Sequence, residues 1–154
     1  MSGAEIADRF NQANERAIEV VLGPARKHWE TPTAEEGWPV GVTARHIALG
    51  HGLMAAWARA LADGAERMHG FDVHAQNAAV AAEGVVATPD EVVELLREGG
   101  TVVAAALAGL TDDQLAGEID FGGRVIPRAT LAQAAVRHVE GHLTSIEAVV
   151  DQKV

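Results

Sequence analysis

Two histidines four residues apart, His138 and His142, stand in the run Arg137-His138-Val139-Glu140-Gly141-His142. On a helix this spacing puts both imidazoles on one face, one turn apart. Two ring nitrogens so placed can hold one divalent cation from the same side, and a third ligand from elsewhere would make an open site. The chain holds seven histidines: His28, His46, His51, His69, His74, His138 and His142. Random placement gives roughly 0.3 pairs at spacing four, so the surroundings must decide.

Leu131, Ala134, Ala135, Ser145 and Val149 fall within about 60° of His138 on a helical wheel, as does His142, while Glu140 and Glu147 lie opposite. The pair therefore shares an apolar face that is expected to point inward. Buried imidazoles need partners, because an unsatisfied buried polar group costs roughly 1–3 kcal/mol, and a metal would satisfy both. His46 repeats the pattern, with Val42, Thr43, Leu49, Gly50, Leu53 and Trp57 on its face. Small residues near the rings (Gly50, Gly141, Ala134, Ala135, Ser145) either leave room for exogenous ligands or let helices approach. At this point a metal site and a close-packed core are both open readings.

The other candidates are weaker. His74 and Asn77, on a possible short helix, are expected with Gly50 and Ser145 as a substrate pocket; a solvated turn is the alternative for the first two. His51 is about 140° from His46 and is not expected to ligate the same ion. His28 and His69 adjoin loops and read as surface. Arg45 and Arg137 sit about 100° off the ligand faces, at the rim for an anionic substrate or in surface salt bridges. Glu140 points away from the pair. Trp38 is expected to staple a loop to the helices.

These residues must be held by helices. The spacing of Ile6, Phe10, Ala13, Ala17, Val20 and Val21 predicts a first helix over 4–22. A loop over 27–39, punctuated by Pro32, Gly37 and Pro39, leads to a second helix over 41–62. A shorter helix is expected over 71–83. Thr88, Pro89 and Glu91 form a helix start with a capping box, and Val92, Leu95, Leu96, Val103, Ala106 and Leu107 form the inward face of the third long helix. Gly99-Gly100 should weaken its middle. Thr111-Asp112-Asp113 starts a short turn. Residues 118–121 and 124–126 around Gly122-Gly123 read as a small β-hairpin before the last helix. Thr130, with Gln133 three later, is expected to cap the fourth helix, which runs to about Val150.

The 154 residues fit one all-α domain, a four-helix bundle over 1–154. A hydrophobic content of 48% excludes disorder, and no apolar run reaches the about 18 residues of a membrane span. No signal-peptide pattern opens the chain, so a cytoplasmic location is expected. A formal net charge of −10 without a basic cluster disfavours nucleic acid and anionic membranes. There is no cysteine, hence no disulfide, no thiolate ligand and no protein thiol nucleophile. A second apolar stripe on the last helix (Val136, Val139, Leu143, Ile146, Val150) predicts deep packing or a homodimer interface.

The segment Gly37-Trp38-Pro39-Val40-Gly41-Val42-Thr43-Ala44-Arg45-His46-Ile47-Ala48 resembles the tryptophan-to-histidine signature of the DinB-like proteins. Thr130-Leu131-Ala132-Gln133 leading into His138-Val139-Glu140-Gly141-His142 is similar to the family's second signature. The resemblance covers nearly the whole chain. It implies an up-down-down-up bundle and carries a metal triad onto His46, His138 and His142. The family includes transferases and isomerases that use bacillithiol, mycothiol or glutathione. Together with the Ala-, Val- and Gly-rich composition, the resemblance implies a mycothiol-like thiol as the expected cosubstrate. Its mycothiol-dependent isomerases carry a further C-terminal domain; none is expected within these 154 residues, which argues against that isomerisation.

Three neutral histidines leave coordination positions open on zinc, nickel or ferrous iron. Because the chain lacks cysteine, a thiolate nucleophile must be imported. The leading expectation is a metal-dependent S-transferase acting on a low-molecular-weight thiol and a small-molecule electrophile. Hydrolysis by a metal-activated water is the alternative, and a non-catalytic bundle that binds a metal or small molecule is the third reading.

Overall fold

The computed structural model describes residues 1–70 and 72–152; Phe71, expected to open the short helix, lies outside the described residues. Helix α1 spans Gly3–Leu22 and begins in a capping box between Ser2 and Glu5. Its expected stripe is buried in full, from Ile6 and Phe10 to Val20 and Val21. Helix α2 spans Val40–Ala62, and its N-cap, Pro39, offers no side-chain acceptor. The preceding loop substitutes: Val40 N–H donates to Thr31 O at 2.9 Å and Gly41 N–H to Trp29 O at 2.8 Å. Two otherwise orphaned donors are thereby satisfied.

After α2 come strand β1 (Arg67–Met68), helix α3 (Val73–Glu83) and helix α4 (Pro89–Ala108). The Thr88–Glu91 capping box of α4 is present as expected. Gly99 and Gly100, expected to weaken the helix, lie within it unbroken. They act as clearance: a Cβ on Gly99 would sit 2.9 Å from the His51 Cβ, and one on Gly100 would strike the Asn14 amide. Leu95, expected inward, is 37% exposed. The buried stripe runs through Val92, Val93, Leu96, Gly100, Val103 and Leu107, and Leu95 lies about 110° from its centre.

The short helix α5 (Asp112–Leu115) precedes strands β2 (Glu118–Phe121) and β3 (Arg124–Pro127), which pair antiparallel. Gly122 and Gly123 make the turn at φ 62° and 90°, a region that favours glycine. The hairpin expected from the sequence is part of a three-stranded sheet, because β1 pairs parallel with β2. Two residues are too few to show an alternating pattern, so β1 left no signal in the sequence.

Helix α6 spans Arg128–Val150, and its N-cap is Pro127, not Thr130. Strand β3 runs directly into the helix, and Arg128 N–H donates to Gly117 O at 3.0 Å. Strand pairing fixes the start three residues early, so Thr130 falls inside the first turn.

The protein is thus mostly helical with a small sheet at one end. Helices α1 and α2 each pack against α4 and α6 around one core. Val136, Val139, Leu143 and Ile146 of the second α6 stripe are buried within the chain itself, with Val150 partly buried. Helix α3 packs on α2 and has no buried residue. Among the described residues, no helix is long and apolar enough to cross a membrane.

The glycines give a paired stability prediction. Gly100→Ala must displace Asn14 and should destabilise by about 1–3 kcal/mol despite alanine's better helix propensity. Gly52→Ala, in α2 with nothing within 4 Å of the place its methyl group would take, should stabilise by roughly 0.5–1 kcal/mol. Urea denaturation of both variants checks the opposite signs.

Candidate metal centre

Helix α2 contributes His46, and α6 contributes His138 and His142. One nitrogen from each lies within 4.8 Å of the others, a group that could hold a metal ion. The ring centroids are 4.9 Å apart for His46–His138, 4.7 Å for His46–His142 and 4.8 Å for His138–His142, a nearly equilateral arrangement. Nε2 of His138 is 3.1 Å from Nε2 of His46, so the two rings present the same atom to a shared point. Their other nitrogens face elsewhere, and Nδ1 of His138 is buried without a protein partner.

The surroundings keep these rings uncharged. Burial pushes the His46 pKa down to about 4, aided by neighbouring His142. Burial pushes His138 to about 3, with His142, His46 and His51 adding to the effect. His142 is also lowered by burial, with Glu36 and Glu35 opposing. At neutral pH the rings therefore keep lone pairs free for a cation. Three neutral nitrogen donors with no thiolate fit zinc, nickel or ferrous iron.

Each ring rests on something specific. Gly50 faces His138, and a methyl group there would collide with Cε1 of the ring. Trp38, expected only to staple the loop, is buried against two rings of the triad. Its ring lies edge-on to His46 at 5.2 Å and roughly parallel to His142 at 6.1 Å. The loop before α2 is pinned by Thr33 N–H to Trp38 O at 2.7 Å and by a bridge between Pro32 and Pro39. This brings Glu36 Oε1 to 3.9 Å from His142 Nδ1, while Glu35 accepts a 2.6 Å hydrogen bond from the Ser145 hydroxyl. Neither glutamate was recognisable in the sequence, since a Pro- and Gly-punctuated loop has no periodicity to reveal its facing.

A cavity of about 200 Å³ opens on the triad, lined also by Glu36, Gly50, Met54, Val73, Gln76 and Asn77. Of the four expected pocket residues, Gly50 and Asn77 line it. His74 does not, because its position on α3 turns it to solvent. Ser145 is buried and bonded to Glu35, outside the lining. Arg45 pairs with Glu83 at 2.7 Å, and Arg137 donates to Thr130 O at 2.8 Å. His51 stays out of the triad but is 1% exposed, with Nε2 2.8 Å from Asn14 Oδ1. His69 is exposed and His28 half-buried.

The profile of the DinB superfamily matches residues 2–146. The chain belongs to the DinB superfamily. The DinB fold is also evident by superposition on a crystal structure of a histidine-to-alanine mutant of mycothiol-dependent maleylpyruvate isomerase. The TM-score is 0.72 at 15% sequence identity, covering 95% of this chain and 61% of the other. The chain thus spans about three fifths of that protein's length. No curated protein sequence matches the chain.

Two outcomes follow from the geometry. The unfolded chain titrates its histidines near 6.5, and the folded rings titrate lower, so the unfolded state binds more protons in between. Stability of the metal-free protein should be fully present above about pH 6.5 and fall as pH drops toward 4, as read by melting temperature. A flat melting temperature across that window would contradict buried neutral rings. Gly50→Ala should push His138 off the shared point and weaken zinc binding by roughly tenfold or more, measured by chelator competition.

Proposed function

We propose that this DinB-superfamily protein is a metal-dependent enzyme that activates a low-molecular-weight thiol, mycothiol-like in kind, for transfer to a small electrophile. The observation that carries this is the convergence of three uncharged imidazoles at a cavity in a chain without cysteine. The structural relative is a mycothiol-dependent isomerase, which supports the choice of thiol. In this reading the four long helices follow the up-down-down-up order of the family.

His46, His138 and His142 would hold the ion, leaving a position open toward the cavity. A divalent metal so held supplies Lewis acidity that favours a thiolate at neutral pH. The thiol proton has an acceptor in the Glu36 carboxylate, which lines the cavity beside His142. The sulfur then forms its bond to the electrophilic carbon, and the leaving group, where there is one, departs with the bonding pair. Asn77 and Gln76 present amide groups along the wall for orienting polar parts of the substrates, while the buried Met54 supplies an apolar surface there. Trp38 walls the rings on the loop side and keeps their environment apolar.

The test is direct. Purified protein reconstituted with zinc, nickel or ferrous iron should bind about one ion per chain, and His142→Ala should lose it. The loaded protein should conjugate a thiol to an electrophile such as a chloronitroaromatic or an epoxide, and chelation should abolish the activity. Turnover of ester substrates without any thiol would replace this reading with hydrolysis. Metal binding without turnover across a panel of thiols and electrophiles would leave a binding protein.

A further inference from the structure

A second hollow adjoins the metal cavity along α2 and α6. On α2, Trp57 shares a helical face with His46 and lies about 16 Å further along the axis. On α6, Ala134 and Leu131 continue the His138 face toward the N-terminus, about 6 and 10 Å along the axis. Trp57, Leu131 and Ala134 line a cavity of about 400 Å³. Val73, the first residue of α3, lines both this cavity and the metal cavity, and so stands on the border between them.

The hairpin supplies the far wall. In the β2–β3 register Phe121 lies opposite Arg124, and Ile119 opposite Ile126. Paired residues share a face of a sheet, and alternation along each strand keeps Phe121, Arg124 and Ile126 on one side. All three line the cavity. Asp120 and Val125 pair on the opposite face, so the carboxylate of β2 nearest the turn is directed away. The Phe121 ring meets Trp57 edge-on, with centroids 4.9 Å apart and planes at 83°.

Arg137 joins the lining from α6. It donates to Thr130 O at 2.8 Å, which leaves a five-donor guanidinium with N–H groups to spare. Arg124 and Arg137 are exposed, and neither pairs with a carboxylate among the described residues. The described lining contains no acidic side chain either. On a chain of net charge −10 the sign is thus locally inverted, with two cations beside a wall of hydrocarbon and aromatic rings. Guanidinium forks match the geometry of a carboxylate, and edge-on aromatic walls favour a flat ring between them.

We propose that this second cavity binds an aryl carboxylate, with its ring against Trp57 and Phe121 and its carboxylate between Arg124 and Arg137. As the anchored part of the electrophile, such an acid extends its far end past Val73 to the metal cavity. That use rests on the proposed function; the binding itself does not.

The experiment titrates 2-naphthoate, 2-naphthylmethanol and inorganic phosphate into the protein by calorimetry, with a chelator present so that no carboxylate can bind a metal at the triad. Naphthoate is expected to bind about one per chain, and about tenfold more tightly than the neutral alcohol. Arg124→Gln and Arg137→Gln should each weaken naphthoate by about tenfold and leave the alcohol unchanged. Both side chains are exposed, so these variants are expected to fold. Ala134→Leu, which fills the cavity with both arginines intact, should block naphthoate. Equal affinity for naphthoate and alcohol, or indifference to any of the three substitutions, overturns the proposal. Phosphate that displaces naphthoate with similar affinity also overturns it, by marking a bare anion site. Naphthoate bound by a protein that holds no zinc removes the proposed metal chemistry and keeps this site. Metal-dependent thiol conjugation by a protein that binds no naphthoate does the reverse.

Discussion

A cationic imidazole between α2 and α6 would have to shed its hydration among hydrocarbon side chains. The cost of that transfer exceeds what the few neighbouring carboxylates return, and the rings stay neutral. Much of the interior follows from this one constraint. Neutral rings can pack at centroid distances under 5 Å, where three positive charges would repel one another. They need clearance, which Gly50 supplies beside His138 by omitting a side chain. They need a dry wall, which Trp38 provides. The same neutrality makes the cluster a set of lone pairs pointed at one place.

The helices that bear the rings are held differently. Helix α6 starts in a strand and is buried along most of its length, so the spacing of His138 and His142 is fixed by a rigid element. Helix α2 takes its first hydrogen bonds from the loop that also carries Glu36 and Trp38. The position of His46 and the shape of the surrounding wall therefore depend on the same turn of chain. Sites built on helices and braced by a folded loop hold their geometry better than sites built on loops alone.

Much of this was legible in the residues. The 3.6-residue period of α1 and the Thr88 capping box of α4 gave those helices nearly to the residue, since both signals are local. The facing of His46, His138 and His142 was legible for the same reason. What escaped depends on contacts between distant segments. Strand β1 exists only because β2 lies beside it, and α6 starts early only because β3 is already paired. Leu95 was misplaced by about one position around the wheel, because Val93 competes for the buried side. Glu36 and the second role of Trp38 could not be read from a loop whose fold is set by bonds between its own ends. The Gly99-Gly100 pair looked like a flaw locally and is a fitting surface globally.

Helix α3 forms part of the cavity wall through Val73, Gln76 and Asn77 yet buries no residue of its own. Its attachment is therefore thin compared with that of the four long helices, and local opening draws on few apolar contacts. The mouth and the floor of the site answer to separate free energies. Lifting one short helix widens the cavity, while the imidazoles beneath it keep their register with the core.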